Sequence, residues 1–194
     1  GSSNVFDFSL GNPYMQPPKR FHERLKELAE GEEGGVHAYM PNPGYPSARQ
    51  AVADYLSKEQ AADVQAGDVI MTCGAAGGLN IILKAILDPG DEVIVPAPYF
   101  VEYGFYADNH GGSLKTVATR EDFTLDIAAI EAAITEKTKA VLINSPNNPT
   151  GQVYSKESLE ALGALLTEKS KAFGQTIYLL SDEPYRKIVY DGVT

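Results

Sequence analysis

The stretch KAVLINSPNNPTG, residues 139–151, joins a short apolar run to a loop that holds two prolines, three asparagines and a glycine. An apolar run of this length is typical of a parallel strand that is buried on both faces. Proline fixes φ and asparagine tolerates left-handed backbone, so both residue types favour a loop. The stretch therefore predicts a buried strand that ends in a shaped turn. Without other observations, the simplest interpretation of this turn is an ordinary loop with no function.

Similar β-branched runs recur from residue 67 onward, with helical segments between most of them. The predicted strands are DVIMT, DEVIVP, LKTVA, KAVLINS and TIYLLSD, and the predicted helices span residues 75–87, 99–109, 127–135 and 156–173. This alternation predicts an α/β fold with three layers, α/β/α, around a mostly parallel sheet. Residues 1–66, with predicted helices at 17–31 and 47–60, form an N-terminal arm in this interpretation. Residues 67–194 form the α/β domain.

The composition limits the classes of partner. There are 26 acidic and 16 basic residues, which give a net charge of −10. This balance disfavours nucleic acid and anionic membranes as partners. A single cysteine, Cys73, suits a reducing compartment, and no apolar run approaches the length of a membrane span. We therefore expect a soluble cytoplasmic protein, and the sequence predicts no metal site.

The residues that follow the predicted strands form a pattern of their own. They are the small residues at 73–78, the aromatic pair Tyr99 and Phe100, the loop around Asn148, and the segment that begins at Asp182. Ligands of parallel sheets bind beyond the carboxyl ends of the strands. Small residues, an aromatic ring, an amide and a carboxylate on one rim therefore predict a ligand site.

Two of these groups suit the charged ends of a ligand. Ala75 and Ala76 open a predicted helix, where free backbone N–H groups at the positive end of the dipole can hold a phosphate. Close packing of the helix against a strand is the simpler explanation for two small residues. Asp182 can pair with a protonated ring nitrogen, or it can cap a helix.

The other groups suit a flat ring. Phe100 can lie against a planar ring or can pack in the core. Asn148 and Tyr185 can both hydrogen-bond one phenolate-like oxygen, or they are a turn amide and a half-buried tyrosine. Taken together, the groups describe a phosphorylated, planar, cationic heterocycle with a phenolic oxygen. Pyridoxal 5′-phosphate matches this description.

Four stretches carry a resemblance to a known family. SPNNPTG, SDEPYRKIVYDG, GDEVIVPAPYFVEY and VIMTCGAAGGLNIILKAILDPGD resemble the fold-type I pyridoxal-phosphate-dependent aminotransferases of class I and II, in matching order and spacing from Ser9 to Gly192. The resemblance implies that residues 67–194 are part of the cofactor-binding large domain. It also implies an enzyme that moves an amino group between an amino acid and a 2-oxo acid, and a homodimer.

The resemblance also implies roles for individual residues. Asp182 would keep the ring nitrogen protonated, Asn148 and Tyr185 would bond the ring 3′ oxygen, and Phe100 would stack on the ring. The backbone at Ala75 and Ala76 would hold the phosphate.

Outside the α/β domain, the resemblance assigns two more contacts. Tyr39 would reach the phosphate in the neighbouring subunit's site, and the main chain of Gly11 would lie beside the substrate carboxylate. The peptide bonds Ala97–Pro98 and Asn148–Pro149 align with bonds that are cis in relatives.

The family's Schiff-base lysine has no counterpart in these 194 residues, because no lysine lies in a matching Ser-x-Ser-Lys setting. No catalytic residue is therefore assigned. We expect a truncated chain, the N-terminal half of an aminotransferase, inactive by itself and with unpaired strand edges at residues 69–72 and 177–181. The alternatives are a β-lyase or another pyridoxal enzyme of this fold, and a non-catalytic cofactor-binding or dimerisation fragment.

Overall fold

The computed structural model of the chain describes residue 11, residues 14–31 and residues 37–192, and the chain divides into two compact units, residues 1–41 and residues 42–194. In the first unit, helix α1 (Lys19–Glu30) follows Pro18 and ends at Gly31. Pro18 suits this position because a helix needs no backbone N–H donor at its start. The predicted domain boundary between residues 66 and 67 stays a prediction.

The second unit alternates helices and strands. Its elements are α2 (Pro46–Gln60), a 3-10 turn (Ala66–Asp68), α3 (Gly74–Ile86), β1 (Glu92–Ala97), α4 (Tyr103–Asp108), β2 (Ser113–Ala118), α5 (Ile127–Ala133), β3 (Thr138–Asn144), α6 (Lys156–Phe173) and β4 (Tyr178–Asp182). Side-chain caps begin two of the helices, since Asp126 accepts from the N–H of Ala129 and Ser155 accepts from the N–H of Ser158.

The four strands within the described ranges form one sheet in the order β2-β1-β3-β4, and every neighbouring pair is parallel. The pairing of β3 with β4 ends at Asn144 opposite Asp182, so these two polar residues lie together at the carboxyl edge. The predicted α/β class with a mostly parallel sheet is confirmed.

The sheet separates two apolar cores, because successive side chains of a strand point to opposite faces. On one face, α3 and α4 pack through Leu83 and Tyr103 against Val93 of β1. On the other face, α5 and α6 pack against Ile94, the next residue of β1, and Leu162 of α6 is fully buried there. Helices on both faces give the three predicted layers.

The predicted strand DVIMT is wrong. The backbone from Val69 to Thr72 forms no strand. Instead, the N–H of Met71 donates to the carbonyl of Pro43 at 2.9 Å, and Nε of Arg49 donates to the carbonyl of Val69 at 2.7 Å. A strand needs a neighbour to satisfy its ladder. In the part of the chain that the structure describes, no strand runs beside this segment.

Among the residues that the structure describes, three X–Pro peptide bonds are cis. Ala97–Pro98 and Asn148–Pro149 confirm the prediction, and Ser145–Pro146 is a third that was not predicted. Helix α4 begins at Tyr103 instead of the predicted residue 99, because residues 99–102 form a turn in which the N–H of Tyr103 donates to the carbonyl of Phe100. Among the described helices, none is long and apolar enough to cross a membrane.

Candidate functional site

A cavity of about 220 Å³ lies at the carboxyl edge of the sheet. Residues from α3, from the turn after β1, from the end and loop of β3 and from the end of β4 line it: Ala75, Ala76, Leu79, Phe100, Glu102, Tyr106, Asn144, Asn148, Asp182, Pro184 and Tyr185. The cavity thus brings together all six residues of the α/β domain that the sequence singled out for the ring and the phosphate.

The start of α3 forms one end of the cavity. Ala75 and Ala76 lie in the first turn of the helix, where backbone N–H groups have no acceptor within the helix. Gly74 has a φ of +73°, a left-handed conformation that favours glycine, and Oγ1 of Thr72 donates to the Gly74 carbonyl at 2.8 Å. Free donors at the positive end of the dipole make this end suitable for an anion.

Asp182, the last residue of β4, provides a carboxylate to the cavity. Its Oδ2 accepts a hydrogen bond from the phenolic O–H of Tyr103 at 2.6 Å. Burial raises the pKa of Tyr103 far above its ordinary value, and the hydrogen bond to Asp182 adds to the effect. Tyr103 is therefore a neutral hydrogen-bond donor at physiological pH.

Asn144 connects the end of β4 to the loop after β3. Its side chain is 3% exposed, and its Nδ2 donates to the backbone carbonyl of Asp182 at 2.8 Å. Its Oδ1 accepts from the backbone N–H of Asn148 at 2.6 Å. The amide of Asn148 in turn donates to the hydroxyl of Tyr185 at 3.3 Å. One buried amide therefore sets the relative placement of three predicted site residues.

The loop after β3 is also held from within. Oδ1 of the buried Asn147 accepts from both the N–H and the hydroxyl of Thr150, at 3.1 and 2.9 Å. The N–H of Gly151 donates to the carbonyl of Asn147 at 2.8 Å. These short-range bonds satisfy the loop's own polar groups and leave the side chain of Asn148 at the cavity wall.

An aromatic cluster supports the part of the cavity wall that contains Phe100. The ring of Phe100 lies edge-on to the ring of Tyr103, with centroids 5.6 Å apart, and Tyr103 lies 6.4 Å from Tyr106. Tyr103 is 1% exposed and Tyr106 is 8% exposed, so both rings are fixed by packing. Phe100 is only partly buried and lines the cavity, where it can contact a flat ring.

A second carboxylate lines the cavity. Glu102 lies directly before α4, and its Oε2 accepts a hydrogen bond from the hydroxyl of Tyr106, one turn further along the helix. Burial raises the pKa of Tyr106 to about 12, with the hydrogen bond to Glu102 as the next cause. Tyr106 is thus a neutral donor at physiological pH.

Two predicted site residues lie in the other unit. Gly11 and Tyr39 belong to residues 1–41, and both are exposed there. Their predicted contacts, with substrate and with the neighbouring subunit's phosphate, stay predictions.

Sequence reasoning missed the residues that hold the predicted ones. Tyr103 and Tyr106 follow Phe100 at intervals of three residues, a helical spacing that placed them near the same rim. Asn144 is the polar residue that follows the apolar run at residues 140–143 of β3, and that position was a usable signal. Glu102 carried no signal beyond its closeness to Phe100.

The arrangement has a distinct chemical polarity. One end presents backbone donors at a helix start, the wall presents an aromatic ring, and the other polar groups are two amides, two phenols and two carboxylates. Such a site suits a flat ligand that is anionic at one end and positively charged on its ring.

The sequence of the chain is similar to those of known aminotransferases. The sequence model of the family described as aminotransferase class I and II matches residues 3–193. The chain is 40% identical over 187 residues to an aspartate/prephenate aminotransferase of Thermus thermophilus, which covers 95% of this chain and 46% of that protein. It is 34% identical over 190 residues to a probable aspartate aminotransferase of Methanocaldococcus jannaschii, covering 98% of this chain and 48% of that protein.

Solved structures agree with the sequence comparison. A crystal structure of an amino transferase from Eubacterium rectale superposes with a TM-score of 0.94 at 41% identity, over 98% of this chain and 49% of that one. An aspartate aminotransferase of Thermus thermophilus with maleate superposes with a TM-score of 0.84 over 94% of this chain and 46% of that one. The chain spans about half the length of the curated relatives it matches.

Proposed function

The chain belongs to the class I and II aminotransferases, and from this premise we propose that it provides the cofactor-binding half of a pyridoxal-phosphate-dependent aminotransferase site. The observation that carries the proposal is the shared cavity at the carboxyl edge of the sheet. It contains a helix start, an aromatic ring, an amide-phenol pair and a carboxylate, which are the groups that this cofactor needs.

The residues present fit the cofactor. The backbone at Ala75 and Ala76 would hold its phosphate, and Phe100 would contact the face of its ring. Asn148 and Tyr185, which already hydrogen-bond each other, would share the ring 3′ oxygen. All the residues that would make these contacts line the cavity.

Asp182 would hold a proton on the ring nitrogen, because a carboxylate close to a cation stabilises the charged form. The hydrogen bond from Tyr103 orients that carboxylate. When bound, the cofactor supplies an electron sink for negative charge that develops at the Cα of the substrate. Asp182 would keep the ring of the cofactor positively charged. Tyr103 and Asn144 would hold Asp182 in place.

We also propose the reaction class and the assembly. Amino acids and 2-oxo acids are the substrates that the family implies, and the relatives named above act on aspartate or on aspartate and prephenate by their names. The homodimer rests on the expected role of Tyr39 at the neighbouring subunit's site. The cytoplasmic location stays a prediction from composition.

A second, non-catalytic function applies to these 194 residues by themselves. Among the described residues that line the cavity, none is a lysine. The chain alone would therefore bind pyridoxal phosphate without a covalent bond and would not transfer amino groups. Without a positioned base for the Cα proton, general acid–base catalysis worth about 10²–10⁴-fold is missing.

The test is a titration of the purified chain with pyridoxal phosphate, followed by absorbance and calorimetry. Asp182→Asn should weaken binding at least about tenfold, since a hydrogen bond to a charged group is lost. Asp108→Asn, an exposed aspartate of α4, is the matched control and should leave binding unchanged. Binding that is equal in all three proteins would refute the assigned site. A borohydride-trapped adduct at one lysine, with turnover of 2-oxoglutarate above that of free cofactor, would refute the non-catalytic function.

A further inference from the structure

We propose that Glu102 is a specificity-determining residue that makes the cavity select a ligand ring with a positive charge. The inference rests on the proposed function and deepens it, because that function gives a role to Asp182 but none to Glu102, the other carboxylate of the cavity. Glu102 would act as a second anionic group near the ring, held in place by Tyr106.

Residues of α4 hold both carboxylates of the cavity in the same way. The start of this helix supplies two buried phenols, and each donates a hydrogen bond to one carboxylate of the cavity. Tyr103 holds Asp182, and Tyr106 holds Glu102. The two phenol rings are in contact, with centroids 6.4 Å apart, and both pack in the same apolar core. Glu102 is therefore an oriented group with a fixed partner, although its side chain is exposed.

The side chains of the cavity wall include acidic groups and no basic ones among the described residues. The described lining residues include two carboxylates and no lysine, arginine or histidine. The nearest hydrogen-bond donors to the carboxylates are neutral phenols, because burial keeps the pKa of Tyr106 near 12. Neutral donors orient a carboxylate but do not cancel its charge. A cationic ligand is thus the partner that this wall lacks.

The two carboxylate oxygens of Glu102 differ in their hydrogen bonds. Oε2 is committed to Tyr106, and within the part of the chain that the structure describes Oε1 accepts no hydrogen bond. One oxygen is therefore anchored, and the other keeps its capacity to accept a hydrogen bond. This arrangement lets the carboxylate approach a ligand without losing its orientation.

The experiment compares two ligands whose rings differ in charge. One is pyridoxal 5′-phosphate, and the other is its carbocyclic analogue, in which C–H replaces the ring nitrogen so that the ring cannot be protonated. The dissociation constants of both are measured by calorimetry for the full chain and for Glu102→Gln, which retains an oxygen that accepts from Tyr106. Glu121→Gln, an exposed residue in the turn after β2, removes the same charge elsewhere and is the matched control.

The expected result is a change in the ratio of the two dissociation constants. Glu102→Gln should weaken pyridoxal phosphate about threefold to fivefold, the range for a partly screened charge pair, and should leave the carbocyclic analogue unchanged. Glu102→Lys should shift the ratio further in the same direction. Tyr106→Phe, which keeps the charge of Glu102, should change the ratio less than Glu102→Gln does. Glu121→Gln should not change it.

Each opposing outcome has a defined meaning. Equal weakening of both ligands in Glu102→Gln, or no weakening of either, overturns the role of Glu102. If Asp182→Asn weakens the binding of pyridoxal phosphate but Glu102→Gln does not change the ratio of the two dissociation constants, only this inference fails. If neither ligand saturates the unmodified chain, the proposed function fails with it. The urea midpoints of the variants confirm that each protein compared is folded.

Discussion

The phenolic oxygen of Tyr103 lies 2.6 Å from Oδ2 of Asp182, so that a buried residue of α4 donates a hydrogen bond to the last residue of β4. The two residues are 79 positions apart in the chain. The bond crosses from the helical layer to the rim of the sheet, and it ties the packing of an apolar core to the orientation of a carboxylate in the cavity.

Replacing Tyr103 by phenylalanine should therefore affect both stability and binding. We expect the free energy of unfolding to fall by about 1–3 kcal/mol, because a hydrogen bond to a charged group is lost while the ring is kept. Urea denaturation measures the effect, and cofactor titration should show weaker binding. Tyr99→Phe is the control, since the Tyr99 ring stacks near Tyr103 at 6.4 Å and its hydroxyl has no hydrogen-bond partner among the described residues. Equal losses in the two variants would contradict the assignment.

The stability of the protein should depend on Tyr106 at high pH. Burial and the hydrogen bond to Glu102 raise the pKa of Tyr106 from 10.0 to about 12. Because the folded value is the higher one, the contribution of Tyr106 is complete below pH of about 10 and is lost as the pH rises through about 12. Urea midpoints across this window should fall more steeply for the unmodified chain than for Tyr106→Phe. Parallel slopes would show that the phenol is not shielded.

Removal of the Asn144 side chain should destabilise the rim. Asn144→Ala breaks hydrogen bonds to the carbonyl of Asp182 and to the N–H of Asn148. We expect a loss of about 2–4 kcal/mol in the free energy of unfolding from the two bonds together. Asn148→Ala removes one longer side-chain bond at the cavity wall, so its loss should stay below about 1 kcal/mol. A reversed order of the two losses would exclude Asn144 as the link.

The two apolar cores should respond separately to cavities. Leu83 of α3 and Leu162 of α6 are both 0% exposed and lie on opposite faces of the sheet. Each Leu→Ala substitution should cost about 2–5 kcal/mol. The double variant should lose the sum of the two within about 0.5 kcal/mol, because the residues share no partner. Strong coupling, measured by urea denaturation, would contradict a sheet that separates the cores.

An ionic contact joins α2 to the segment after β4. Glu59 pairs with Arg186 at 2.6 Å and with Lys187, and it accepts from the hydroxyl of Tyr55 at 3.1 Å. Glu59→Gln should lower the free energy of unfolding by up to about 1 kcal/mol at low salt. The difference from the unmodified chain should shrink in molar salt, since screening weakens the pair. A difference that is independent of salt would indicate a packing effect instead.

The sequence was sufficient for the layers of the fold because burial and periodicity are local signals. Val93, Ile94 and Val95 form a run without polar residues, and the structure divides them between the two cores. The same reasoning failed at residues 69–72. That run has the composition of a strand, but strand formation depends on a neighbour, and composition carries no information about which neighbour is present.

The site shows the same division between local and long-range information. Asp182 and Asn148 could be predicted because each follows an apolar run. Tyr103 could not be assigned to Asp182, since 79 residues separate them and only the order of the strands brings them together. Residues that would contact a ligand could be recognised from their neighbours in the sequence. The residues that orient them through hydrogen bonds could be recognised only in the folded structure.

The uniformly parallel sheet has a consequence for how the chain folds. No two neighbouring strands are joined by a hairpin, and the shortest connection between paired strands, from β1 to β2, runs through residues 98–112. Each pair of strands must close a long loop before it forms any hydrogen bond between the strands. The entropy cost of closing these loops therefore slows folding. Until the strands have paired, partly folded chains expose unpaired strand edges to one another. The yield of refolding should consequently fall as protein concentration rises, even where the folded state is stable.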